Sequence, residues 1–206
     1  IFGKSFSIEN DSATVAASIA LRKLVKERNI NHAISFHSSI ERATQFNEMM
    51  QEFNNFDSSC PNVFSYHVSG KQSSGKRSYE MQKFVDSTPS VISNARCLTE
   101  GVDIPAVDAV VFADPKQSVV DIVQAAGRAM RLHRDKEFGY IVIPVIIGNE
   151  LEAAALDAFK QLIYVISALG ITDGRIIDEV KAYVSEATSN QGEILEFVES
   201  VPATSL

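Results

Sequence analysis

Gln124-Ala125-Ala126-Gly127-Arg128-Ala129-Met130-Arg131 closes an apolar run, Val119-Val120-Asp121-Ile122-Val123, and the joint spacing predicts a helix over Val119–Leu132. Arg128 and Arg131 are three residues apart and therefore share a helix face. Two guanidiniums on one face suit a polyanion, because each offers planar, permanently charged donors that match phosphate oxygens. Gly127 between Gln124 and these arginines lets the helix pack closely or lets a ligand approach its backbone. The plain alternative is a solvated basic helix end, which the helix dipole favours at its C-terminus. The surrounding sequence decides between the two.

Upstream and downstream of that helix, apolar runs recur at His32–His37, Asn62–Val68, Ser90–Ser93, Ala109–Ala113 and Tyr140–Ile147. Several are nearly continuous rather than alternating, the pattern of strands buried on both faces of a parallel sheet. Helical periodicity appears between them, over Ser39–Phe53 and Ser78–Val85, and before them over residues 12–28 with Ser12 as N-cap. Alternation of strand and helix predicts an open α/β fold whose ligands gather at the carboxyl ends of the strands. After Gly148 the character changes. Asn149–Leu169 reads as a long helix ending at Gly170, Asp173–Ala187 as another, and the stretch from Ser189 as a last helix or a frayed end. The division expected is therefore a main domain over residues 1–148 and an acidic helical extension over residues 149–206.

Charge follows the same division. Of the 26 acids and 19 bases in the chain, ten and three lie after Gly148, which leaves 16 of each in residues 1–148. The net charge of -7 is thus carried by the tail. The main domain is neutral and holds a local basic excess at Lys116, Arg128, Arg131, Arg134 and Lys136, so a nucleic-acid partner is not excluded. No apolar run approaches the ~18 residues of a membrane span, and the expectation is a soluble cytoplasmic chain with no membrane partner. Cys60 and Cys97 stand far apart without ligand spacing, so two free thiols and no metal site are expected.

Twenty-three residues before Gln124 begins a second motif, Gly101-Val102-Asp103-Ile104-Pro105. Read plainly it is a turn; read functionally, Gly101 frees the backbone to approach a ligand. The pair, GxDxP followed by QxxGRxxR with a strand between, resembles the second RecA-like domain of superfamily 2 helicases, of DEAD/DEAH type. Ala33-Ile34-Ser35-Phe36-His37-Ser38-Ser39 is similar to that domain's first strand and loop. His67-Val68-Ser69-Gly70, with Arg77 and Phe84, is similar to its next strand and helix. The wording around Asn94–Gly101 and Val119–Gln124 looks most like helicase subunits of restriction-type and phage systems.

The resemblance implies a RecA-like three-layer sandwich with a mainly parallel sheet, covering about residues 32–147. It implies catalytic roles for Arg128 and Arg131, facing the ATP γ-phosphate, and for Gln124, orienting water or phosphate. It implies nucleotide contacts at Gly101, Asp103 and Gly127, and nucleic-acid contacts at Ser38, Asn94, Arg96 and Thr99. Relatives place Thr, Asn or Asp six residues before the motif glycine; this chain has Ala95 there, with Asn94 and Arg96 on either side. The partners implied are DNA or RNA and the first RecA-like domain of the same protein, which would hold ATP and Mg²⁺.

Gly70-Lys71-Gln72-Ser73-Ser74-Gly75-Lys76-Arg77 nearly satisfies the GxxxxGK[ST] phosphate loop. Arg77 stands where a hydroxyl must reach Mg²⁺, and no DExH segment follows. With neither a complete phosphate loop nor its acid, the chain is expected to be part of a longer protein and negligible as an ATPase by itself. Two other readings remain open on the sequence: a non-catalytic nucleic-acid-binding module, and an independent P-loop nucleotide-binding protein.

Overall fold

In a computed structural model of the chain, the structure describes residues 12–95, 107–114, 119–129, 138–144, 164–170 and 201–202. In chain order the elements are α1 (Ser12–Arg28), β1 (His32–Phe36), α2 (Ile40–Phe56), β2 (Phe64–Ser69), α3 (Ser74–Asp86), β3 (Ser90–Ala95), β4 (Ala109–Phe112), α4 (Val119–Ala129) and β5 (Phe138–Val142). A further helical segment spans 164–170, and Val201–Pro202 form a two-residue strand, β6. The sheet order is β2-β3-β1-β4-β5-β6. All pairings from β2 to β5 are parallel, and β6 runs antiparallel to β5. The expected α/β, RecA-like, mainly parallel architecture is what forms.

Central position explains the apolar runs. All four residues of β4 and residues 33–36 of β1 are buried, so these strands have no solvent face on which a polar residue could alternate. Because side chains point alternately to the two faces, each strand divides its residues between two cores. Ile34, Phe36, Ile92, Val110 and Phe112 face α3, α4 and the helical segment, meeting Phe84, Ile122, Ala125, Ala126 and Ala129 together with Val165, Ala168 and Leu169. Ala33, Val91, Ala109 and Val111 face α1 and α2, meeting Ala17, Leu21, Val25, Phe46 and Met50. The three layers follow.

Helix α1 occupies the expected residues, and α2 runs one turn beyond Phe53 to Phe56. Ser39 caps α2 by accepting from the Arg42 N–H, and Ser73 caps α3 in the same way from Lys76. α3 therefore begins four residues before the expected Ser78. β5 begins two residues before the expected start and closes at Val142. Residues 130–132, 145–163 and 171–200 lie outside the described residues, so most of the expected tail helices do too. Where a last helix or frayed end was expected, Val201 and Pro202 pair instead with Gly139 and Phe138. Proline lacks the N–H a helix interior needs and is tolerated on a sheet edge.

The α1 layer carries a buried cation absent from the expectations. Arg22, 2% exposed, donates from Nη1 to Asn54 Oδ1 (2.9 Å) and from Nη2 to the Asp57 carbonyl (2.9 Å) and carboxylate (3.3 Å). Its guanidinium also lies 5.7 Å from the Phe53 ring centroid. It thereby staples the turn after α2 to α1.

Two half-buried histidines make the fold pH-sensitive. His32 Nδ1 lies 2.9 Å from Ser90 Oγ, and His67 Nδ1 lies 3.0 Å from Ser93 Oγ. Burial lowers the pKa of both below the ordinary 6.5, against a smaller opposing pull from Asp108 on His32 and from the Ser93 bond and Glu80 on His67. The unfolded chain thus binds protons first as pH falls, and stability drops as pH passes down through the unfolded value. Urea unfolding should show lower stability at about pH 5 than at about pH 7.5, and His32→Gln with His67→Gln should flatten that slope. An unchanged slope in the double variant contradicts this assignment.

Candidate functional site

Parallel alignment brings the ends of β1, β3 and β4 to one edge, and the chain's polar groups gather there. The Asp114 carboxylate, just past β4, is 3% exposed. Its Oδ2 accepts from the Ser38 N–H (2.7 Å) and the Ser38 hydroxyl (3.0 Å), and its Oδ1 receives Arg42 Nη2 at 2.5 Å. His37 Nδ1 is 3.9 Å from the same carboxylate, while its Nε2 is 3.0 Å from Ser35 Oγ and its ring packs 4.9 Å from Phe46. The His37 N–H donates to the Asn94 carbonyl across to β3 (3.0 Å). The loop after β1 is thus tied to both neighbouring strands.

Of the residues singled out in the sequence, Ser38 is exposed at this edge. Its hydroxyl proton is directed to Asp114. Asn94 is fully buried, in register with Phe36 on one side and Val68 on the other. That position suits holding the strand ends rather than touching a polymer backbone. Arg96, Thr99, Gly101, Asp103 and Arg131 lie outside the described residues. Asp114 and Arg42 went unnoticed in the sequence. The available signal was an acid directly after a wholly apolar strand, at the edge where such sheets keep their chemistry.

Beyond β4, residues 115–118 lead to α4. Ile122, Ala125, Ala126 and Ala129 are buried on one side of α4, whereas Gln124 and Gly127 are exposed on the other. Arg128 is the last but one residue of α4. Among the described residues, an added Cβ at Gly127 would meet nothing within 4 Å.

The near phosphate loop closes on itself. Gln72 N–H donates to the Ser69 carbonyl (3.1 Å), its Oε1 accepts from Ser69 N–H (3.2 Å), and its Nε2 donates to the His67 carbonyl (3.2 Å). Arg77 Nη1 donates to the Gln72 carbonyl (2.7 Å). The side chain of Gln72 thus takes the strand-end amide that a phosphate loop leaves for its ligand. Neither Gly70 nor Gly75 has a neighbour within 4 Å of an added Cβ, so no close approach requires them.

Comparison with known proteins agrees with this geometry. Residues 16–133, more than half of the chain, match the family described as Helicase conserved C-terminal domain. The chain belongs to that family. This helicase C-terminal domain is 32% identical over 92 residues to "Probable helicase A859L" of African swine fever virus (strain Badajoz 1971 Vero-adapted), a match covering 45% of this chain and 10% of the relative. It is 26% identical over 116 residues to a 51.5 kDa protein of Lactococcus phage (isolate 7-9), covering 56% of this chain and 24% of the relative. The chain therefore spans about a tenth of the viral helicase it matches.

Among solved structures, the domain resembles the ATP-dependent Type ISP restriction-modification enzyme LlaBIII bound to DNA, with a TM-score of 0.66 and 28% identity over 82% of this chain and 12% of that one. It shares its fold with the C-terminal domain of the DEAD-box protein Dbp5, with a TM-score of 0.53 and 15% identity over 81% and 89% of the two chains. Among the described residues, no helix is long and apolar enough to cross a membrane.

A self-closed loop predicts that the lysines around it do not hold ATP phosphates. In a protein that joins this domain to a first RecA-like domain, Lys71→Ala with Lys76→Ala should leave KM for ATP within about twofold. A loss of nucleotide binding in that variant would restore the phosphate-loop reading.

Proposed function

We propose that this domain is the second half of an ATP-dependent nucleic-acid helicase or translocase, working across a cleft from a first RecA-like domain that holds ATP and Mg²⁺. The observation that carries this reading is the outward face of α4. Gln124 and Gly127 are exposed on it, while the opposite face of the same helix, with Ile122, Ala125, Ala126 and Ala129, is locked into the core. Arg128 and Arg131 stabilise the charge that develops on the transferring γ-phosphoryl group, and Gln124 orients water or phosphate. Gly101 and Asp103 shape the nucleotide edge of the cleft, and Gly127 keeps the helix surface clear for the phosphates.

The nucleic-acid track lies at the loop after β1, where Ser38 and the N-terminus of α2 meet the strand backbone; Arg96 and Thr99 extend the contact, and Asn94 supports it from beneath. Hydrolysis then opens and closes the cleft, so the two halves alternate their grip. Likeness to a DNA-bound restriction-modification enzyme favours DNA as the track and a restriction-type or phage system as the setting.

Arginines that act only in the transition state lower kcat much more than they weaken ATP binding. In the longer protein, Arg128→Ala and Arg131→Ala should each reduce kcat about 10³-fold or more, with KM for ATP moving less than about tenfold. Steady-state ATPase assays at saturating DNA check this, and normal turnover in both variants sinks it.

A further inference from the structure

We propose that Asp114 is a positioning residue that locks the nucleic-acid loop after β1 to the strand leading into α4, so that DNA contact and ATP chemistry move as one piece. This inference rests on the proposed function and adds a coupling element to it.

A carboxylate withdrawn from water is tolerated only when its charge and lone pairs are met. At 3% exposure, Asp114 is met by donors that all come from the β1–α2 junction: the Ser38 N–H and hydroxyl on Oδ2, and the Arg42 guanidinium on Oδ1. The two oxygens serve different residues, so the carboxylate plane is fixed, and with it the side chains on both sides of the α2 N-cap Ser39. Swinging that junction away would strand a buried charge. The donors lie more than seventy positions back in the chain, whereas α4 begins only after residues 115–118. The carboxylate therefore ties the entrance of α2, exposed at Ser38, to the end of the strand that precedes α4 in the chain.

An amide at this position keeps the size but offers one acceptor oxygen and turns an NH₂ group towards a donor. Either Ser38 or Arg42 then faces a donor instead of an acceptor, and the junction loosens.

The test is DNA-stimulated ATP hydrolysis by the longer protein. For Asp114→Asn, the half-saturating DNA concentration should rise about tenfold while KM for ATP stays within about twofold. Arg42→Gln should shift it in the same direction, and adding it to Asp114→Asn should produce no further shift, because both remove the same link. A merely structural defect would reduce the active fraction without separating the two constants. Should Asp114→Asn not fold, Arg42→Gln opens the same junction from its partly exposed side and carries the same expectation.

An unchanged half-saturating DNA concentration overturns the proposal, as do additive shifts in the double variant. Tighter DNA binding by Asp114→Asn also overturns it, since Asp114 would then be competing with phosphate for the same donors. Arg128→Ala run in parallel separates the two levels. If it collapses turnover while Asp114→Asn is silent, only the coupling fails; if it leaves turnover intact, the motor reading itself fails.

Discussion

Burial of β1 and β4 on both faces is the constraint from which the rest of the molecule follows. Strands covered by helices above and below leave no lateral surface for polar chemistry, so chemistry is confined to the ends of the strands. Parallel direction then puts the ends of β1, β3 and β4 side by side. The same packing fixes α4, whose alanine-rich inner face sits against Ile34, Phe36 and Phe112 while Gln124 and Gly127 face outward.

Buried charge does the precise positioning that apolar packing cannot. Hydrophobic contacts are non-directional and tolerate sliding, whereas a carboxylate with three donors or a guanidinium with three acceptors tolerates little. Asp114 uses this at the working edge. Arg22 uses it on the α1 layer, holding Asn54 and the turn at Asp57. Asp57 is itself held well below the ordinary carboxylate range, to about 2, mainly by hydrogen bonds from Ser59 and with a smaller contribution from Arg22. Both networks join residues far apart in sequence, and each fixes the end of α2 nearer to it.

Much of the fold was legible because its signals are local. Apolar runs gave β1 and β4 within a residue, and periodicity gave α1 at both ends. Legibility fell where the decisive partner is remote or the local pattern is polar. The first turn of α3, Ser74-Gly75-Lys76-Arg77, has no apolar periodicity; the cap at Ser73 and the Arg77 bond to Gln72 define it. The closing strand at Val201–Pro202 depends on β5 lying beside it. At the site, Ser38 was singled out through the likeness of the β1 loop to the family's, and it stands exposed at the strand end; helical spacing put Arg128 and Arg131 on one face, and Arg131 lies outside the described residues. Asp114 was not legible as an anchor, because its donors lie on another strand and helix. Asn94 read as a surface contact until the register of β1 and β2 enclosed it.

Arginines on one domain completing a nucleotide site on another is the central claim, and ATP hydrolysis resolved by domain tests it most directly. Turnover should be compared for the longer protein, the same protein lacking this chain, and this chain alone. The account predicts that only the joined protein hydrolyses ATP at a substantial rate. Equal turnover without this chain, or turnover by this chain alone, would contradict it.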